Sequence, residues 1–316
     1  MTALALLGAR VRVQFWLREP MVIVIATMLG SSFTPDVIGE ARQYLLSMSL
    51  LAIYVLASSA LCWCYLHLVA KYDQATAYFC AIPGGLMEMV ILGAHTGADE
   101  RKIFLAHGTR VLVVVLTVPL WFRLVEGYVP PGGFTMGGPG LSTLALTDAL
   151  ILLACGGIGY FLGKILHFPA FRFTGPLTAS AIAHLTGLTA SKPPGELIVL
   201  AQIILGSSLG CRYVGVHLGE VMSTVRVSLV SALLLLSSAI VFAYGIHLIT
   251  GFNTKALVLS LSPGGLVEMT LIALALGIDV AFITIHHLVR ITISVFLAPT
   301  VFAIAHRKGF LQGPKT

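Results

Sequence analysis

Pro83-Gly84-Gly85-Leu86-Met87-Glu88-Met89 returns 180 residues later as Pro263-Gly264-Gly265-Leu266-Val267-Glu268-Met269. The echo continues without a gap: Gly97 and Asp99 match Gly277 and Asp279, His107 matches His287, Arg110 matches Arg290 and Pro119 matches Pro299, thirteen identities in 37 columns. Apolar composition alone does not align charged side chains. A helix-breaking Pro-Gly-Gly and ionisable residues, repeated inside apolar surroundings, are the sequence pattern of a membrane protein built from two homologous halves with a site at the breaks.

Composition places the chain in a membrane independently of the repeat. It is 57% hydrophobic and 10% charged, with a mean hydropathy of +0.96, whereas about a quarter of the residues of a soluble domain are charged. The net charge of +6 lies mostly between apolar segments, where it sets topology rather than making a nucleic-acid surface. Met1 to Gly8 is a short apolar run, and Arg10, Arg12 and Arg18 follow it, the reverse of a signal peptide's order. Cys62, Cys64, Cys80, Cys155 and Cys211 lie in or beside apolar segments and read as inert buried thiols.

Segments long enough to span, about 20 residues each, run over 44–70, 103–122, 144–166, 225–250 and 281–305. Less regular apolar segments cover 20–32, 76–95, 175–188, 196–210 and 256–276. The expected fold is an all-α polytopic membrane protein with about 9–11 apolar segments in two helical repeats. Each repeat has one helix interrupted at its Pro-Gly-Gly, because proline removes a donor and clashes with the preceding turn. The chain divides into a first repeat at 1–126, a glycine- and proline-rich linker at 127–143, a second repeat at 144–306 and a polar tail at 307–316. Leu29-Gly30-Ser31-Ser32 matches Leu205-Gly206-Ser207-Ser208 at an offset of 176, which sets Met1 opposite Leu177. The first repeat then lacks a counterpart of 144–176. Either the start codon is assigned late or the first helix has been lost.

Phe173-Thr174-Gly175-Pro176-Leu177, Leu205-Gly206-Ser207-Ser208, and both copies of Pro-Gly-Gly followed by Glu, Gly-x-Asp and His-x-x-Arg resemble the AbrB duplication family of bacterial membrane proteins. Some of its members carry an ammonia monooxygenase label. The resemblance covers nearly the whole chain and implies architecture more than activity, together with a regulatory label tied to gene expression. Family members have the Gly-Pro element in both halves, and this chain lacks the first copy. The sequence holds no cluster of ligands at metal spacing and no dinucleotide fingerprint, so neither metal nor cofactor is expected and the protein is read as no enzyme.

Each Pro-Gly-Gly invites a site. With Gly84 and Gly85 unwound, the following amides start a half-helix with partial positive charge, and Glu88 lies in its first turn; Pro263, Gly264, Gly265 and Glu268 repeat this. The plainer reading is a packing kink with a glutamate stabilising the helix start. A carboxylate inside an apolar segment is costly unless protonated, paired or facing water, and Arg110 and Arg290 on the next helix of each half offer ion pairs. His107 shares a helix face with Arg110, and His287 with Arg290; each histidine reads as a helix-to-helix hydrogen bonder or a proton relay. Asp99 and Asp279, each after a glycine and before an apolar helix, read chiefly as N-caps. Gly175 and Pro176 open a short apolar stretch, re-entrant or tilted; a re-entrant stretch makes five spans per full repeat and inverts the halves, the arrangement preferred here.

The function that follows is a secondary transporter of a small solute in the bacterial inner membrane, proton-coupled through Glu88 and Glu268. The alternative is a membrane-embedded sensor that binds a ligand without moving it and affects gene expression through a partner. The expected partners are the bilayer, a small solute and a second copy of the chain, with no nucleic acid.

Overall fold

A computed structural model gives the fold. It describes residues 15–33, 41–125, 127, 140, 142–168, 170–210 and 218–308, so the linker apart from a few residues, most of the polar tail and residues 1–14 lie outside the described residues. Among the described residues there are twelve α-helices and no strand. These are α1 (Phe15–Gly30), α2 (Ala41–Cys64), α3 (Gln74–Ala81), α4 (Leu86–His95), α5 (Glu100–Leu124), α6 (Leu146–Ile165), α7 (Phe171–Leu185), α8 (Gly195–Gly210), α9 (Leu218–Thr250), α10 (Thr254–Leu261), α11 (Leu266–Ala275) and α12 (Val280–Arg307).

Among the described residues, five stretches are long and apolar enough to cross a membrane: Tyr44–Val69, Glu100–Leu124, Leu146–Ile165, Ser223–Thr250 and Val280–Arg307. At 1.5 Å per residue the shortest is about 30 Å long, the thickness of the hydrocarbon core. Tyr44–Val69 ends in a π-helical turn from Tyr65 to Val69. Lys71 then takes a positive φ of 60°, His67 Nδ1 bonds the Tyr72 carbonyl at 2.9 Å, and Asp73 caps α3 by accepting from the Thr76 amide at 2.8 Å.

The chain forms two compact units. The first comprises Met1–Arg42, Val129–Val216 and Thr270–Thr284. In it α7 packs against α6 through glycines: a Cβ on Gly159 would stand 2.6 Å from the Gly175 carbonyl oxygen, and one on Gly163 would stand 3.0 Å from Gly175 Cα. Small residues spaced four apart let helix backbones approach this closely. On α1, Gly30 meets the Leu177 carbonyl, and Ser180 Oγ donates to the Thr27 carbonyl at 2.7 Å.

This geometry corrects the expectation for Gly175 and Pro176. They do not open the apolar helix but lie inside α7, which starts four residues earlier at Phe171. A proline near a helix start forfeits one backbone bond without ending the helix, and Gly175 is there for the crossing with α6. Pro20 likewise lies inside α1.

The second unit comprises Gln43–Tyr128, His217–Met269 and Ile285–Thr316. Its core gathers Cys62, Leu66, Phe79, Met89, Ile103, Leu235 and Phe302. Phe79 and Phe302 approach with ring centroids 5.3 Å apart, and Tyr78 donates to the Ala298 carbonyl at 2.8 Å. Both Pro-Gly-Gly breaks, 82–85 and 262–265, belong to this unit.

Candidate functional site

Each Pro-Gly-Gly separates two short helices. After α3 the chain extends at Ile82 (φ −70°, ψ 128°), Gly84 N–H bonds the Ile82 carbonyl at 2.8 Å, and Gly85 starts α4 with φ −66° and ψ 138°. The second break repeats this, with Ser262 extended (φ −52°, ψ 132°) after α10 and the Met269 amide reaching the Gly265 carbonyl at 2.9 Å. Proline supplies no donor and fixes its own φ, so the α-helical ladder stops where the sequence places it. An interrupted helix inside an apolar protein is tolerated where protein covers the freed carbonyls.

Arginines cover them here. Arg110 is 4% exposed and Arg290 2% exposed. Arg110 donates through Nη1 to the Ile82 carbonyl at 3.2 Å and through Nη2 to the Gly84 carbonyl at 3.4 Å. Arg290 makes the matching bonds, from Nη1 to the Ser262 carbonyl and from Nη2 to the Gly264 carbonyl at 2.7 Å. A guanidinium fork spans two carbonyls two residues apart, which a point charge does not.

The histidines hold the helix just before each break. His107 Nε2 faces the Phe79 carbonyl at 2.9 Å, and His287 Nε2 faces the Leu259 carbonyl at 3.1 Å. Because a carbonyl only accepts, both rings carry their proton on Nε2. His107 Nδ1 then accepts from Arg110 Nη2 at 2.9 Å, whereas His287 Nδ1 has no hydrogen-bond partner among the described residues. The two copies therefore differ: one arginine leans toward its histidine, the other toward its carbonyl.

Glu88 and Glu268 occupy the third position of their half-helices, where a carboxylate folds back over the helix start. In each copy the glutamate's Oε2 lies 2.1 Å (Glu88) or 2.0 Å (Glu268) from where a Cβ on Gly85 or Gly265 would be, so a side chain there would displace the carboxylate's flexible end from the helix start. Both glutamates are half-buried. The expected ion pairs are absent: among the described residues, the salt bridges seen include Lys102–Asp99 and Arg172–Glu19, and neither Glu88 nor Glu268 forms one with Arg110 or Arg290. Each charge instead meets a helix end of opposite sign. The guanidinium sits on carbonyls at the C-terminal end of the first half-helix, and the carboxylate on the N-terminal end of the second.

Asp99 caps α5, accepting from the Arg101 amide at 3.0 Å and the Lys102 amide at 3.1 Å, and Asp279 caps α12 through the Phe282 amide at 3.1 Å. Gly97 and Gly277, with φ of 77° and 63°, end the preceding helices in the left-handed region that glycine enters without strain. Gly175 and Pro176 lie on α7 in the first unit. The partners that residue types did not reveal are backbone carbonyls. Their signal was the recurring interval: each histidine bonds 28 residues back, and each arginine 28 and 26 back. Among the described residues no three or more His, Cys, Asp or Glu side chains group as a metal site.

Comparison with known proteins places these features in a family. The chain is 24% identical over 309 residues to the "Uncharacterized protein YhjN" of Bacillus subtilis (strain 168), covering 93% of this chain and 79% of that one. It is 22% identical over 284 residues to a protein of Escherichia coli (strain K12) whose name gives it provisionally as the regulator AbrB, covering 88% and 79%. The family described as "Transition state regulatory protein AbrB" matches residues 1–306, and the chain belongs to that AbrB family.

Proposed function

We propose that this protein is a multi-pass secondary transporter of a small solute in the bacterial inner membrane, without enzymatic chemistry, and that Glu88 and Glu268 couple solute movement to protons. One observation carries the reading. Two breaks in a single unit are each followed by a half-helix that begins with a half-buried glutamate, while the arginine at each break is buried with both Nη atoms on backbone carbonyls. An ionisable group inside an apolar protein is a functional candidate when it stays reachable. The glutamates stay reachable and the arginines do not, so the arginines fix the break and the glutamates are the groups assigned to the coupling. A protonated glutamate releases its half-helix start to an incoming solute group, and deprotonation restores the cap.

A second reading is supported by the names of the family and of the Escherichia coli relative, both of which describe regulators. In that reading the same breaks bind a ligand without moving it, and a partner protein carries the signal onward.

Purified protein in liposomes with a pH-sensitive dye inside separates the two. Carboxylates, amines and zwitterions are added outside one class at a time, with and without an imposed pH gradient. Transport predicts solute-dependent proton movement for one class, lost in Glu88→Gln and in Glu268→Gln. Ligand-induced thermal stabilisation with no flux in any class would replace transport by sensing.

A further inference from the structure

Beside the first break lies a cavity of about 480 Å³ that the transport reading does not use. Its lining residues, from α2, α3 and α12 and from Ile82, all belong to the second unit, and its volume falls in the size range of small-molecule sites. Its wall reaches the break itself at Ile82, whose carbonyl Arg110 holds. Trp63 and Tyr78 supply aromatic surface. Both of their polar ends are engaged elsewhere, the indole with the Gln74 carbonyl and the phenol with the Ala298 carbonyl.

Two hydroxyls in the wall are not engaged. Ser294, only 2% exposed, and Ser59 each have a buried Oγ with no hydrogen-bond partner among the described residues. Leaving a buried hydroxyl unsatisfied is unfavourable, and serines in helices ordinarily bond the preceding turn, as Ser58 does here to the Val55 carbonyl. Ser294 is not shared between the halves, since its column in the first half holds Val114.

Depth identifies the ligand. Ser294 is the fifteenth of the 28 residues of α12, and Ser59 the sixteenth of the 26 in Tyr44–Val69. Both lie within about one helical turn of the centre of a spanning helix. The rim of the cavity is apolar and outward-facing, with Leu56 at 55% exposure, and no charged side chain lines it. A phospholipid headgroup stays about 15 Å from the bilayer centre, so it does not bring a polar atom to this depth. We propose that the cavity binds an uncharged small molecule dissolved in the hydrocarbon core, with an apolar body against Trp63 and Tyr78 and one oxygen hydrogen-bonded to Ser294 and Ser59. Bound there, it presses on the first break at Ile82.

The test uses the full chain in lipid nanodiscs and two photoreactive probes, an octanol carrying a diazirine and the same diazirine on octane. The octanol probe should attach preferentially to residues 55–63, 78–82 and 293–301, and excess unlabelled octanol should suppress the adducts. The double variant Ser59→Ala with Ser294→Ala should lower octanol-probe labelling about tenfold, the loss of one to two buried hydrogen bonds, and leave the octane probe unchanged. Equal labelling by both probes, or adducts spread evenly over outward-facing leucines such as Leu150 and Leu153 of α6, would overturn the proposal. If the double variant unfolds, competition on the unaltered protein still decides the question.

Discussion

Arg110 and Arg290 hold neutral carbonyls, and that choice of partner dictates what their replacement does. Charge-assisted hydrogen bonds contribute roughly 1.5–3 kcal/mol each, and lysine cannot bridge two carbonyls two residues apart. Arg290→Lys should therefore lower stability by about 3 kcal/mol. Arg110→Lys should cost less, because its bond to Gly84 is 3.4 Å where Arg290's to Gly264 is 2.7 Å. Thermal unfolding of the purified variants in one detergent measures the order. The histidines should rank the other way: His107 bonds both Phe79 and Arg110, His287 only Leu259, so His107→Ala should cost about 1 kcal/mol more than His287→Ala. At this scale the sequence named the side chains and misassigned their partners. One glutamate and one arginine in each copy of the motif suggest ion pairs, and nothing in residue identity discloses that helix ends will neutralise each charge separately.

The helices themselves were more legible than their contacts. Spans at 103–122 and 281–305 emerge as Glu100–Leu124 and Val280–Arg307, because length and hydropathy are properties of the chain alone. The breaks at Pro83 and Pro263 follow from proline's missing donor for the same reason. The start of α7 was not legible: Phe171 to Thr174 carry no break signal, and the role of Gly175 exists only once α6 is beside it. That role makes a contrast testable between glycines. Gly175→Ala drives a methyl into the Gly159 backbone, which cannot yield as a side chain can, and should cost several kcal/mol and most of the folded yield. Gly157→Ala, with nothing within 4 Å of its Cβ, should fold normally and gain about 0.5–1 kcal/mol of helix propensity. Size-exclusion chromatography and thermal unfolding of the two variants check this, and equal behaviour would mean that α6 and α7 do not cross at these residues.

For the molecule as a whole the open matter is whether the two breaks act as one device. Both lie in the second unit, both present a glutamate at the third position of a half-helix, and both are clamped by an arginine, so either each is a local cap or both serve one solute path. Local caps are independent: Glu88→Gln and Glu268→Gln would each remove a fraction of a kcal/mol of helix-end stabilisation, and their effects on stability would add. A shared path behaves otherwise. If one transport cycle needs both glutamates to release and regain a proton, the first substitution already stops gradient-driven uptake, and adding the second removes nothing more. The double-mutant cycle on uptake rate is then strongly non-additive, while the same cycle on thermal stability stays additive within about 0.5 kcal/mol. We expect that divergence between the two readouts. Additivity in both would reduce the glutamates to helix caps and leave the repeated motif with a purely architectural role.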